Sequence, residues 1–68
     1  MRMTPVSSSN ISSIGYENGT LYVEFHGGRL YAYSGVPESV YRNLMAASSH
    51  GSYLATHVKG VYPYRPLN

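Results

Sequence analysis

The chain has 68 residues, no cysteine and a net charge of +2, which allows one small domain and excludes a disulfide framework and thiolate metal sites. Five Lys and Arg against three Asp and Glu permit an anionic partner, but so small an excess does not by itself indicate one. The chain has eight tyrosines, one phenylalanine and no tryptophan, so tyrosine supplies most of the aromatic surface. The positions of the tyrosines therefore decide which aromatic contacts the protein can make.

The first eight residues are predicted to form a flexible lead-in to a single domain that spans residues 9–68. Pro5 disfavours regular strand pairing, and the serines at 7 to 9 favour solvated turns. We find neither a secretion signal nor an apolar stretch of about 20 residues that could span a membrane. We therefore expect a cytoplasmic protein with no membrane partner.

A strand from about Ile11 or Ser12 to Tyr16 is predicted to turn at Asn18-Gly19 into a second strand. Asn-Gly is the strongest short-range signal for a hairpin, because both central residues of the turn need a positive φ. The register that follows pairs Tyr16 with Leu21, Gly15 with Tyr22 and Ile14 with Val23.

A second hairpin is predicted around Gly27-Gly28, with the two glycines as the central residues of a two-residue turn. This register pairs Phe25 with Leu30 and Val23 with Ala32. The apolar face of the resulting meander carries Ile14, Tyr16, Leu21, Val23, Phe25, Leu30 and Ala32. The other face carries Tyr22, Glu24, Arg29, Tyr31 and Tyr33, and its tyrosines are either covered by the rest of the chain or offered to a partner.

The periodicity changes to that of a helix after Gly35. Pro37 has the fixed φ that suits a helix start, and Glu38 complements the positive end of the helix dipole. The apolar stripe consists of Val36, Val40, Leu44 and Ala47, flanked by Tyr41 and Met45. We predict that this stripe packs on the apolar face of the meander.

A short second helix is predicted over residues 53–58. Gly51 is a candidate for the left-handed residue that ends the first helix. Ser49 or Ser52 can then cap the second one.

The C-terminal segment contains Pro63 and Pro66, which exclude a central strand but allow an extended segment at a sheet edge. The predicted fold class is therefore α+β. It consists of a three-stranded antiparallel β-meander followed by an α-helix, a second short helix and an extended C-terminal segment.

Several segments, taken in order, closely resemble the KTSC domain, a family named after the C-terminal extension of some lysyl-tRNA synthetases. The family also includes small stand-alone bacterial and phage proteins. The segments are Ser13-Ile14-Gly15-Tyr16, Leu21-Tyr22-Val23-Glu24-Phe25, Tyr31-Ala32-Tyr33, Gly35-Val36-Pro37-Glu38-Ser39-Val40-Tyr41, Leu44, Ala47-Ser48-Ser49-His50-Gly51-Ser52-Tyr53 and Tyr62-Pro63-Tyr64. The resemblance covers about residues 9–66. The role of the family is not established, and its attachment to a tRNA synthetase suggests RNA, and tRNA in particular, as the partner.

Tyrosines with cations beside them can stack on bases and hold phosphates. On that ground the predicted binding residues are Tyr22, Arg29, Tyr31, Tyr33, Lys59 and Arg65. Two alternatives stay open. The C-terminal tyrosines can fold over the same face and form an aromatic core, or the domain can be a protein-protein interaction or self-association module.

No catalytic constellation is found in the sequence, so we expect a protein that is not an enzyme and that has no cofactor and no metal. The candidate acid-base groups are His26, His50, His57, Glu17, Glu24 and Glu38, and they are spread over turns, strands and helix starts. His50 and His57 do not share one predicted helix, because Gly51 separates them.

Overall fold

A five-stranded antiparallel sheet and two helices make up the computed structural model, which describes residues 2–68. The strands are β1 (Met3–Pro5), β2 (Ile11–Glu17), β3 (Thr20–Phe25), β4 (Leu30–Tyr33) and β5 (Tyr64–Pro66). The helices are α1 (Glu38–Ala46) and α2 (His50–His57). The strands lie side by side in chain order. Neither helix in this part of the chain is long and apolar enough to cross a membrane.

The α+β class is confirmed, but the prediction of three strands is wrong, because both edges of the sheet carry a further strand. β1 comes from the segment that was expected as a lead-in, although Met1 lies outside the described residues. Pro5 is tolerated there because an edge strand need not use every backbone N–H. β5 comes from the predicted extended segment and pairs with β4.

The first hairpin has the predicted register, with Tyr16 opposite Leu21 and Gly15 opposite Tyr22. Asn18 has a φ of 52° and Gly19 a φ of 79°, so both central residues adopt the positive φ that the turn requires.

The second hairpin turns through three residues, His26, Gly27 and Gly28, rather than two. The N–H of Phe25 donates to the carbonyl of Arg29 at 2.8 Å, and the N–H of Gly28 donates to the carbonyl of Phe25 at 3.0 Å. Because Gly27 and Gly28 have φ values of 99° and 89°, the loop uses both glycines for conformations that other residues rarely adopt. The predicted register of this hairpin is therefore wrong by one residue.

This shift reverses the facing of every side chain in β4. Tyr31 lies opposite Val23, so Tyr31 and Tyr33 belong to the face that the helices cover. Ala32 lies opposite Tyr22 on the other face. The predicted face with three tyrosines does not exist, because only Tyr22 of the three remains on it.

The core lies between the sheet and the two helices. Its fully buried side chains are Ile11, Ile14, Leu21, Val23, Val36, Leu44, Leu54 and Val58. Burying an aliphatic side chain of this kind stabilises a fold by about 2 kcal/mol. The predicted packing of the α1 stripe is confirmed for Leu44, which is fully buried, and for Val40, which packs against the core. The Tyr16 hydroxyl donates to the Val36 carbonyl at 2.5 Å and thereby fixes the entry to α1.

The second helix begins three residues earlier than predicted. Ser49 is its N-cap, and its hydroxyl oxygen accepts a hydrogen bond from the N–H of Ser52 at 3.2 Å. Gly51 lies in the first turn of α2 and does not end α1. A methyl group at Gly51 would clash with the side chain of Asn10, so the glycine allows a close approach between the chain before β2 and the helix.

Candidate nucleic-acid interface

The structure divides the six predicted binding residues between the two faces of the sheet. Tyr22 and Arg65 lie on the face opposite the helices, separated by Ala32, which pairs with both of their positions. The other four gather on the helix-covered face, near the second turn and the β4–β5 edge. They are Arg29, Tyr31, Tyr33 and Lys59.

These four residues line two adjoining depressions, which we name together the aromatic groove. The larger one has a volume of about 600 Å³ and the smaller one about 280 Å³. The larger is lined by Ser9, Asn10, Phe25, His26, Arg29, Tyr31 and Lys59. The smaller is lined by Phe25, Tyr31, Tyr33, Lys59, Gly60 and Tyr64. Phe25, Tyr31 and Lys59 border both, so the groove is continuous.

Tyr31 is the centre of the aromatic wall. Its ring meets Phe25 edge-on at 5.6 Å between centroids and 69° between planes, and it meets Tyr64 at 5.5 Å and 89°. Tyr33 lies 5.7 Å from Tyr64. Each such pair stabilises the arrangement by about 1 kcal/mol beyond the area it buries. The rings therefore hold one another in place before any ligand arrives.

The four rings differ in how much surface they offer. Tyr64 is 63% exposed, whereas Tyr33, whose ring packs against that of Tyr64, is 3% exposed. Tyr31 and Phe25 are half-buried. The groove therefore offers mainly the ring of Tyr64 to a partner.

Burial raises the pKa of the Tyr33 hydroxyl above its ordinary value of 10.0, and the neighbouring Tyr64 and Tyr31 raise the pKa further. Tyr33 is therefore neutral at physiological pH. Its place in the groove is that of an uncharged support rather than that of a proton donor or a charged contact.

Cations lie along the aromatic wall. The ammonium nitrogen of Lys59 is 5.3 Å from the centroid of the Phe25 ring, a distance at which a cation is attracted to the ring face. Arg29 is exposed at the end of the second turn. None of the described residues that line the groove is acidic. The groove is therefore suited to an anionic ligand with flat, stackable parts.

The C-terminal segment holds Tyr64 against the sheet. The N–H of Leu67 donates to the carbonyl of Leu30 at 2.8 Å. The Asn68 side chain accepts from the N–H of Leu30 at 3.0 Å and donates to the carbonyl of Gly28 at 2.6 Å. The side chain of Asn68 thus continues the strand pairing after the backbone of β5 has ended.

His50 and His57 are the two ends of α2, so the prediction that they do not share a helix is wrong, and each of the three imidazoles has a local contact. The Nε2 atom of His26 lies 2.9 Å from the carbonyl oxygen of Ser8, and the Nδ1 atom of His50 lies 2.8 Å from the carbonyl oxygen of Leu44. Because a carbonyl only accepts, each of these nitrogens carries the proton. His57 packs on the ring of Tyr53 at 4.3 Å. Within residues 2–68, no three His, Cys, Asp or Glu side chains form a group that could hold a metal ion.

Tyr64, Phe25 and His26 line the groove but were not among the predicted binding residues; Tyr64 was expected only as one of the C-terminal tyrosines that can fold into an aromatic core. Tyr64 stands between two prolines, and its position became informative only with the pairing of β5 and β4. His26 precedes the two glycines of the second turn, and a three-residue loop places it at the groove. The sequence is compatible with a loop of two or of three residues here, so it gave no signal that could have identified His26.

Comparison with known proteins finds one family and close structural similarity. The profile of the KTSC domain matches residues 7–62. A protein of Tsukamurella paurometabola is 41% identical over 59 residues, which cover 84% of this chain and 88% of that protein. An uncharacterized protein of Stutzerimonas stutzeri is 40% identical over 55 residues, 78% of each. The crystal structure of a KTSC domain protein from Yersinia pestis has a TM-score of 0.93 and 40% identity, and the match covers 98% of this chain and 97% of that one.

Proposed function

This chain belongs to the KTSC domain family, and we propose that it is a small non-catalytic module of the cytoplasm that binds RNA through the aromatic groove. The observation that supports the proposal is the meeting of ring surface and positive charge at one place. Tyr64 and Tyr31 supply the rings, and Lys59 and Arg29 supply the charge. Modules that bind single-stranded RNA combine these two elements, since bases stack on aromatic side chains while cations hold the phosphates.

The contacts suggest a modest affinity. Stacking of one base on an aromatic side chain stabilises a complex by about 1–3 kcal/mol. Two exposed cations add an electrostatic attraction that salt weakens. A site of this size is therefore expected to bind RNA with micromolar affinity rather than nanomolar. Because the family takes its name from an extension of some lysyl-tRNA synthetases, tRNA is the first RNA to test.

The proposal is tested by titrating labelled tRNA and labelled single-stranded RNA with the protein at two salt concentrations. Binding that weakens with salt is expected. The variant Arg29→Ala should weaken binding severalfold. Arg65→Ala is the matched control, because it removes the same charge from an exposed residue on the opposite face of the sheet. Absence of binding at low salt, or equal effects of the two variants, would contradict the proposal.

A second candidate function, protein interaction or self-association, is favoured by the exposed apolar residues of the C-terminal segment. Val61 is 59% exposed, Tyr64 63% and Leu67 40%. Exposed apolar side chains that are close in sequence on a surface can mark an interface. Light scattering over a concentration series tests the self-association version of this candidate. A mass that rises with concentration supports self-association, and a monomer at every concentration removes it.

A further inference from the structure

We infer that the aromatic groove takes a single unpaired nucleotide, with its base on the ring of Tyr64 and the flanking phosphates on Lys59 and Arg29. The inference rests on the proposed function, and it specifies the form of the RNA that the groove recognises. A base that is splayed out from a strand fits it, and a continuous duplex does not.

The number of free ring faces limits the site to one base. Tyr33 is 3% exposed and packs against Tyr64. The ring of Phe25 already has the ammonium of Lys59 in front of it. Tyr31 is half-buried, with its neighbours Phe25 and Tyr64 packed edge-on against it. Tyr64, at 63% residue exposure, is thus the most exposed of the four aromatic residues.

The positions of the cations limit the number of phosphates. Lys59 borders both depressions, and Arg29 borders the larger one. A single strand that gives up counterions at two phosphates has a slope of log K against log salt of about −1.4. The expected salt dependence is therefore shallow and has a defined value.

A duplex fits the same surface poorly. Proteins that bind double-stranded RNA contact its phosphates over about 16 base pairs and read its shape. This chain has five Lys and Arg in all, and Arg65 lies on the opposite face of the sheet from the groove.

The test is a competition series against a labelled 12-nucleotide single strand, with a trinucleotide and a blunt 12-base-pair duplex as competitors. We expect the trinucleotide to bind within about threefold of the 12-mer once the number of registers is counted, and the duplex to bind at least about tenfold more weakly. Tyr64→Ala should lose at least about fivefold in affinity, and Tyr64→Phe should keep most of it because the ring remains. Tyr22→Ala, on the other face, is the control.

The outcomes separate this inference from the proposed function. Affinity that rises with each added nucleotide by more than the added number of registers, or a duplex that competes as well as the single strand, overturns the single-nucleotide inference. If such binding still depends on Arg29, the proposed function stands. A salt slope steeper than about −3 also overturns the inference, and this measurement needs no variant. Absence of RNA binding at low salt overturns the proposed function and this inference with it.

Discussion

The ring of Tyr31 meets the ring of Tyr64 edge-on, with 5.5 Å between their centroids and 89° between their planes. Tyr31 pairs with Pro66 and Tyr33 pairs with Tyr64, so the two rings are diagonal neighbours on adjacent strands. The contact depends on the second turn, because a two-residue loop would direct Tyr31 to the opposite face of the sheet. The length of one loop therefore determines whether the aromatic groove forms.

The first prediction concerns Gly28 in that turn. Its φ is 89°, and a side chain at this angle is strained, so Gly28→Ala should lower the free energy of unfolding by about 1–3 kcal/mol. Urea denaturation followed by circular dichroism measures the change. Gly28→Asn is the control, because asparagine tolerates a positive φ better than alanine, and it should lose less. An alanine variant as stable as the parent would contradict the backbone geometry of the turn.

The two hairpins show how far the sequence determines the fold. Asn18-Gly19 specifies one turn type, and the predicted register there is confirmed. Gly27-Gly28 is compatible with loops of two and of three residues, because glycine adopts either sign of φ freely. Local sequence therefore left the register of β4 open, and long-range packing of Tyr31 and Tyr33 against the helix-covered core accompanies the longer loop.

The candidate site was predictable only in part for the same reason. Arg29, Tyr31 and Lys59 were all among the predicted binding residues, and the structure brings them to one groove. Tyr22 was grouped with Tyr31 through a register that proved wrong. The position of Tyr64 depends on a strand of three residues that follows one proline and ends at another, for which local propensity gives a weak signal.

A second prediction distinguishes the two serines that were candidates for the cap of α2. The hydroxyl of Ser49 accepts from the N–H of Ser52, so Ser49→Ala should lower the free energy of unfolding by about 1 kcal/mol. Ser52→Ala leaves that backbone N–H in place and should change stability by less than about 0.5 kcal/mol. Thermal denaturation of both variants measures the difference. A larger loss of stability in the Ser52 variant would contradict the assignment of Ser49 as the N-cap of α2.

A third prediction follows from the raised pKa of Tyr33. The folded protein holds this proton to a higher pH than the unfolded chain, whose tyrosine titrates near 10.0. The stabilising contribution is therefore complete below about pH 10 and is lost as the pH rises through the folded pKa, because the unfolded state then binds fewer protons. One such group changes the free energy of unfolding by at most about 1.4 kcal/mol per pH unit.

Urea denaturation between about pH 8 and 11 measures this loss. Tyr33→Phe should make the decline above pH 10 shallower, because phenylalanine has no proton to release. Tyr22→Phe is the control, since it removes a hydroxyl from the other face of the sheet. The same slope in the parent protein and in Tyr33→Phe would show that Tyr33 does not contribute to the alkaline transition.

The last prediction connects the C-terminal residue to the groove. Asn68 makes two hydrogen bonds to the second hairpin, at 3.0 Å from the N–H of Leu30 and at 2.6 Å to the carbonyl of Gly28. Each hydrogen bond stabilises the closed segment by about 0.5–1.5 kcal/mol, so Asn68→Ala should speed hydrogen exchange at the Leu30 amide by roughly 5- to 150-fold. Because β5 carries Tyr64, RNA affinity should fall together with this protection. Asn43→Ala, at an exposed position of α1, is the control and should change neither quantity. Unchanged exchange at Leu30 would show that the backbone pairing of β5 holds the C-terminal segment on the sheet without the help of the Asn68 side chain.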